Sequence, residues 1–357
     1  MNDATHPKTL VLVVGAGASK EVNLPVGAEL RTRIAQALDI RYDDGYRRSS
    51  GDGAIDEAFR VLASAADQNR VDINPYLHSS WRIRDAMPQA ISIDNFIDSH
   101  RHDSRIAICG KLAIARCILA AEAESALFVN RRSLDARIDF AGVEGTWFNA
   151  FLQLLTENCQ ETEIDQRLAQ VAIVSFNYDR CITHYLHGAL QNYYGITSER
   201  AAQAMSNLQV FHPYGSVGRL PWQSLRDGVD YGSNAGGRSL VKVSEGIRTF
   251  TEGIDPDHSN IVEIRRTLQH ARKVAFLGFA FHRLNLQLLF PGLADGQQVM
   301  NRPTYATGYG ISNADGQEIR NELSALGAVF QERFYFRNDL TCAKLFREFW
   351  RSLSLHA

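Results

Sequence analysis

The sequence of 357 residues lacks the features that mark several large classes of protein. Its five cysteines are scattered, with no Cys-x-x-Cys pair, so the chain offers no short-spaced ligands for a structural zinc site. No run of about 18 or more apolar residues exists, which argues against a membrane-spanning helix. The formal net charge is -2, so the composition has no basic surplus of the kind expected of a nucleic-acid-binding protein.

What remains is the composition of an ordinary globular protein, with 45% hydrophobic and 22% charged residues. The N-terminal segment "MNDATHPKT" has no apolar stretch of the kind found in secretory signal peptides. We therefore expect a cytoplasmic protein with no membrane contact and no direct nucleic-acid binding. In that compartment free cysteines are expected to be reduced and buried.

Short apolar runs predict a parallel sheet. Helical patterns separate most of these runs, which is typical of βαβ units in a Rossmann-like α/β fold with helices on both faces of the sheet. The six predicted strands lie at 9–14, 170–177, 208–216, 273–280, 302–310 and 327–334.

Two units are expected along the chain. Residues 1–40 and 166–357 are predicted to form the sheet domain, and 41–165 a mostly helical insertion. Within that insertion, the polar and glycine-rich segment at 41–54 is predicted to be a loop, and so is the segment at 226–246 in the sheet domain.

The first strand runs into Gly15-Ala16-Gly17 in "VVGAGASKEVNLPVG". Small residues between a strand and a helix start let backbone N–H groups approach a phosphate. The full dinucleotide fingerprint needs a third glycine where Lys20 stands, and no Gly-Lys-Ser/Thr follows to make a P-loop. The alternative is a tight strand-to-helix turn that binds nothing.

Polar residues also follow three later strands. Asn177 and Asp179 follow the strand at 170–177, although Asp179 alternatively caps the next helix. His212 lies near the end of the strand at 208–216 and is either structural or a base near neutral pH. Gly278 lies near the end of the strand at 273–280, and His282 and Asn285 follow that strand. Because the carboxyl ends of parallel strands share one edge, these residues can converge on one crevice.

In combination these motifs resemble the sirtuin fold, and more closely the sirtuin-like proteins of bacterial anti-phage defence. The matching features are the Gly-Ala-Gly-Ala-Ser turn, Asn-x-Asp after a strand, His near Gly-Ser, and an apolar strand that ends in glycine. The resemblance covers about 9–30 and 170–335, while the helical block matches only loosely, through "SIDNFIDSH".

The resemblance implies NAD as the substrate and no metal. The Asn of the motif positions the reacting ribose and water, and its Asp recognises the carboxamide. In sirtuins the catalytic His directly precedes Gly-Ser or Gly-Thr; here Tyr214 occupies that place and His212 lies two residues earlier, on the same face of an extended segment. We therefore assign Asn177 and His212 as catalytic residues. The other residues expected at the NAD site are Gly15, Ala16, Gly17, Ser19, Leu24, Pro25, Asp179, Tyr214, Gly215, Ser216, Gly278, His282 and Asn285.

The resulting prediction is an NAD glycohydrolase that releases nicotinamide and ADP-ribose, because the chain lacks the four-cysteine zinc module of sirtuin deacylases. The resemblance implies a homo-oligomeric defence effector whose activity is gated by a protein partner, namely a DNA-translocating ATPase, an Argonaute-like protein or a phage component. The alternative is a non-catalytic module that senses NAD or ADP-ribose. A zinc-free deacylase ranks below both.

Overall fold

The computed structural model describes residues 7–67, 71–130, 136–254, 260–292 and 299–356. Six of its eight strands form one sheet and two form a hairpin. The strands are β1 (Leu10–Val14), β2 (Arg41–Asp43), β3 (Arg47–Ser50), β4 (Val171–Ser175), β5 (Gln209–Phe211), β6 (Val274–Leu277), β7 (Thr304–Thr307) and β8 (Phe334–Arg337).

The large sheet is parallel throughout and has the order β5-β4-β1-β6-β7-β8. Val11 of β1 pairs with Ala172 of β4 on one side and with Val274 of β6 on the other. The chain winds outward from β1 in one direction and then, from β6, in the other. This is the doubly wound order of Rossmann-type sheets, with its switch point between β1 and β6. The predicted α/β fold with a parallel sheet is confirmed.

Helices cover both faces of the sheet. They are α1 (Ala16–Ser19), α2 (Gly27–Leu38), α3 (Gly53–Ala66), α4 (Asn74–Ala86), α5 (Ile93–Ser99), α6 (Ser104–Glu124), α7 (Trp147–Thr156), α8 (Ile164–Ala169), α9 (Cys181–Tyr194), α10 (Ser198–Met205), α11 (Gly237–Ser244), α12 (Phe250–Ile254), α13 (Ile261–His270), α14 (Arg283–Leu289), α15 (Asn313–Ala325), α16 (Cys342–Glu348) and α17 (Trp350–Leu353). Three short 3-10 turns lie at Lys20–Val22, Glu161–Glu163 and Gln331–Arg333.

Alternating side chains of β1 belong to two separate cores. Val11 and Val13 pack with the apolar residues of α2, α3, α6 and α13, whereas Leu10, Leu12 and Val14 pack with those of α7, α9 and α16. All five residues are fully buried. A strand covered on both faces needs apolar residues at every position, which explains the continuous apolar run in the sequence.

The helices α3 to α6 lie between β3 and β4 in the chain, and α5 packs closely against α6. A Cβ atom at Gly110 of α6 would lie 2.6 Å from Cδ1 of Ile97, so the glycine leaves room for this side chain of α5. Ile93 and Ile97 are buried in this contact region. The opposite side of α5 is thereby turned towards the carboxyl edge of the sheet, where Asp94 and Asp98 line a cleft.

Three sequence predictions are wrong in detail. The expected loop at 41–54 contains the hairpin β2–β3, whose turn has positive φ at Asp44 (52°) and Gly45 (78°), as Asp-Gly turns between twisted strands require. The expected loop at 226–246 contains α11. The last strand is β8, later than the predicted 327–334, because the apolar pair Ala328-Val329 is buried in a connecting segment.

The expectation that the cysteines are buried is confirmed: all five are free and buried. Leu345 and Phe346 near the C-terminus are fully buried, and Phe349 and Trp350 pack against the same core, so this segment contributes to packing. Among the described residues, no helix is both long and apolar enough to cross a membrane.

Candidate functional site

A cleft of about 360 Å³ lies at the switch point, at the carboxyl ends of β1, β4 and β6. Open α/β sheets bind ligands at this place, and the volume falls within the range of roughly 300–1,000 Å³ usual for ligand pockets. The lining residues are Gly15, Ala16, Gly27, Ile91, Ser92, Asp94, Asn95, Asp98, Phe176, Asn177, Tyr214, Phe250, Phe279, Ala280, His282, Arg283, Leu284 and Asn285.

A larger cavity of about 660 Å³ lies beside the β2–β3 hairpin. Its lining residues come from 41–84 and not from the ends of the strands in the large sheet. Its three lining guanidinium groups are already paired with aspartates, as Arg41–Asp39, Arg60–Asp56 and Arg84–Asp85. None of the predicted site residues lines it. The switch-point cleft is therefore the better candidate.

The floor of the cleft is a backbone contact between the turns that follow β1 and β6. The N–H groups of Gly15 and Gly17 donate to the carbonyl oxygens of Leu277 and Gly278, each at 3.0 Å. A Cβ atom on Gly15 would lie 2.6 Å from the Gly278 oxygen, and one on Gly278, whose φ is +55°, would lie 2.0 Å from the nitrogen of Ala18. Close packing of two turns thus accounts for these glycines, and of the predicted phosphate turn only Gly15 and Ala16 line the cleft.

Asn177 lines the cleft with its amide orientation fixed by two hydrogen bonds. Its Nδ2 atom donates to Oγ of Ser19 at 2.9 Å and to the carbonyl oxygen of Gly15 at 3.1 Å. Ser19 in turn donates to Oδ2 of Asp179 at 2.9 Å, so its oxygen can only accept from Asn177. With both amide hydrogens used, Oδ1 is the atom that Asn177 can offer to a ligand; no described residue donates to it.

Asp179 and Ser19 lie behind Asn177 rather than on the cleft surface. Besides the bond from Ser19, the Asp179 carboxylate accepts the N–H of Cys181 at 3.0 Å, at the start of α9. It therefore makes the helix-capping contact that the sequence offered as an alternative. Both side chains are buried, at 6% and 2% exposure, which places them where they can hold Asn177 but not where they line the cleft.

His212 is held next to the Asn177 backbone. Its Nδ1 atom lies 3.1 Å from the carbonyl oxygen of Asn177. Because that oxygen can only accept, Nδ1 carries the proton and Nε2 is the basic nitrogen. Burial lowers the pKa of His212 from 6.5, so the ring is neutral at neutral pH. His212 is not one of the residues that line the cleft.

The remaining predicted residues divide into two groups. Tyr214, His282 and Asn285 line the cleft, and the Tyr214 hydroxyl donates to Oδ1 of Asn285 at 2.5 Å. Gly215 pairs instead with Ile247, and its neighbour Ser216 likewise lies outside the lining.

Leu24 and Pro25 are buried and do not line the cleft. Leu24 belongs to the core that includes Trp147, on the α7 side of the sheet. The segment before Leu24 is held by Glu21, because its carboxylate accepts hydrogen bonds from the N–H groups of Trp147 at 2.7 Å and Ala343 at 2.9 Å. The irregular "SKEVNLPVG" segment is thus anchored to the starts of two helices.

Sequence reasoning missed the acidic side of the cleft, which is Asp94 and Asp98 on α5. Asp94 accepts a hydrogen bond from the Tyr178 hydroxyl, and burial among apolar groups raises its pKa. The signal was present in "SIDNFIDSH", where Ser92 caps the helix by accepting the N–H of Asn95 at 3.0 Å. Aspartates four residues apart then share one helix face.

Comparison with known proteins adds no assignment: neither the family models nor the curated proteins gave a match to this chain. In the described part of the chain, no group of three or more His, Cys, Asp or Glu side chains is arranged to hold a metal ion. The functional interpretation therefore depends on the geometry of the cleft.

Proposed function

We propose that the chain is an NAD glycohydrolase that holds the nicotinamide-ribose part of NAD in the switch-point cleft. The observation that carries this proposal is the fixed amide of Asn177, a residue that lines the cleft and whose Oδ1 atom accepts from no described residue. A carbonyl oxygen in that position can accept a hydrogen bond from a ribose hydroxyl or from the attacking water. The cleft volume suits one nucleoside-sized group rather than a whole dinucleotide.

In the proposed reaction, the bond between ribose C1′ and the pyridinium nitrogen breaks, and nicotinamide leaves with the bonding electron pair. The ribose passes through an oxocarbenium-like state, and water adds to C1′ to give ADP-ribose. One proton is released from the water. The neutral ring of His212 has the protonation state needed to accept it through Nε2. Since nicotinamide leaves as a neutral molecule, no general acid is needed.

This proposal gives Asp179 a different role from the one that the resemblance implies. Its carboxylate already accepts from Ser19 and from the N–H of Cys181, so we assign it the task of holding Ser19 and, through it, Asn177. Ser19 and Asp179 are positioning residues in this account. We assign recognition of the nicotinamide carboxamide to polar residues that line the cleft, such as Asn285 and His282.

A second candidate function is a module that binds NAD or ADP-ribose without cleaving it. Two observations favour it: the backbone N–H groups of Gly15 and Gly17 donate within the protein, and His212 does not line the cleft.

For either function, hydrolase or binding module, we propose a sirtuin-like fold in which 41–165 is a helical insertion. We also propose an anti-phage role in the cytoplasm, with activity gated by self-association or by a protein partner.

The test is the release of nicotinamide from NAD by the wild type and three variants, with and without the product of the neighbouring gene. Asn177→Ala should lower the rate by about 100-fold or more, as loss of a polar group that contacts the reacting atoms does elsewhere. His212→Ala should lower it as well. Asn321→Ala, on the exposed side of α15, is the matched control and should change nothing. Full activity in both site variants would exclude the assignment, while NAD binding without release would favour the sensor.

A further inference from the structure

The cleft is lined by two carboxyl groups to which none of the roles assigned so far applies. Asp94 and Asp98 contribute two carboxyl groups from one side of α5. Arg283 is the cationic side chain among the lining residues, and its Nε atom donates to Glu322 at 3.2 Å, outside the cleft. A neutral ligand gains nothing from this arrangement, whereas a cationic group does.

Asp94 is the better placed of the two aspartates because its side chain is held from the sheet side. The hydroxyl of Tyr178 donates to its Oδ1 atom. Tyr178 directly follows Asn177, so the end of β4 carries both the Asn177 amide and the hydroxyl that holds the Asp94 carboxyl. Tyr178 is buried, and Phe176 and Phe279 form an apolar wall of the same cleft, in edge-to-face contact at 5.0 Å between ring centroids.

No described residue forms an ion pair with Asp94. Glu252, on the neighbouring helix α12, is paired with Lys111 at 2.8 Å, so that lysine is already engaged. His282 is the group whose charge acts on Asp94 across the cleft, in the sense that favours the carboxylate. Burial among aromatic groups weakens solvent screening, which makes a carboxyl here more responsive to the charge of a ligand than one on the surface.

We propose that Asp94 contacts the cationic end of the ligand, and that it makes the cleft selective for pyridinium ribosides over their neutral, reduced counterparts. This inference rests on the proposed function, because it takes the nicotinamide ribose to be the group in the cleft. It adds a ligand-contacting residue from α5, outside the sheet and outside the strand-end motifs. In the same position the carboxylate would favour the positive charge that develops on the ribose as the bond breaks.

The test compares the binding of two probes of nearly equal size by calorimetry: nicotinamide riboside, which is a cation, and its dihydro form, which is neutral. The full-length wild type should bind the cation about tenfold more tightly. In Asp94→Asn, which keeps the shape and the acceptor for Tyr178, the preference should fall to about threefold or less. The affinity for the neutral probe should stay within about twofold, which also shows that the cleft is intact.

Asp227→Asn serves as the matched control, since Asp227 lies on the surface in a pair with Lys242. It should behave as the wild type does. A preference that survives in Asp94→Asn, equal binding of both probes to the wild type, or no binding of either would overturn the inference. Nicotinamide release is measured separately: a wild type that cleaves NAD without the charge preference contradicts only the role of Asp94, and one that shows the preference without cleavage contradicts only the hydrolase.

Discussion

Two carboxyl groups in the helical region between β3 and β4, Glu122 and Asp94, have pKa values shifted in the same direction but lie in different surroundings. Burial raises the pKa of both. Glu122 is fully buried and accepts four hydrogen bonds, from the N, Nε and Nη2 atoms of Arg180 and from the N–H of Gly232. Asp94 faces a cleft and is held by Tyr178. A raised pKa marks a candidate site only where the carboxyl retains room for a ligand.

The largest loss of stability should come from removing the partner of Glu122, the carboxyl group that has no room for a ligand. Arg180→Leu leaves Glu122 buried without its counter-charge, and it also removes the bond from Arg180 Nη1 to the carbonyl oxygen of Val229 at 2.5 Å. We expect the free energy of unfolding to fall by about 3–5 kcal/mol in denaturant titrations at neutral pH. Replacing Glu122 by leucine in the same chain should recover much of this loss. A change below about 1 kcal/mol would mean that the pair is not structural.

Two glycines next to the cleft allow the same comparison of tightly packed and open surroundings, because only one of them has close neighbours. Gly278→Ala would place a Cβ atom 2.0 Å from Ala18 N at a φ of +55°, whereas Gly27→Ala meets nothing within 4 Å. We expect Gly278→Ala to lower the free energy of unfolding by about 2–4 kcal/mol. Gly27→Ala, at the start of α2, should change it by about 1 kcal/mol or less. Equal effects in thermal unfolding would contradict the described floor of the cleft.

The smallest change in stability concerns Asp94, the carboxyl group that faces the cleft. Because the folded-state pKa of Asp94 lies above its ordinary value of 3.8, ionisation of this group destabilises the fold as the pH rises through that pKa. Asp94→Asn removes the penalty, so the variant should be up to about 1 kcal/mol more stable at neutral pH. The difference should vanish below about pH 4, where the carboxyl is protonated in both states. A variant that is less stable at neutral pH, or a gap independent of pH, would contradict this.

The sheet could be predicted from the sequence because its central strands are buried on both faces. Continuous apolar runs as short as β1 and β4 are typical of strands in the middle of a parallel sheet. The same criterion misplaced β8, since Ala328 and Val329 are equally buried without being in a strand. The β2–β3 hairpin was missed because its strands are polar and exposed, although the Asp44-Gly45 turn was a recognisable signal.

The candidate site was only partly accessible to sequence reasoning. Asn177 and Asn285 follow strands of one parallel sheet, so their convergence could be predicted from topology. Asp94 comes from α5, which packs on α6 where the Ile97 side chain meets Gly110. Such a tertiary contact leaves no periodic pattern in the sequence. The roles of Ser19 and Asp179 behind Asn177 likewise depend on hydrogen bonds across about 160 residues of chain.

The most direct test of the central claim is the mass balance of NAD incubated with the purified chain over a range of protein concentrations, with and without the product of the neighbouring gene. The account predicts that nicotinamide and ADP-ribose appear in equal amounts at the expense of NAD, and that Asn177→Ala lowers the release of both by about 100-fold or more while the variant still unfolds in one cooperative transition. No loss of NAD under any of these conditions, or the same loss in wild type and variant, would contradict it.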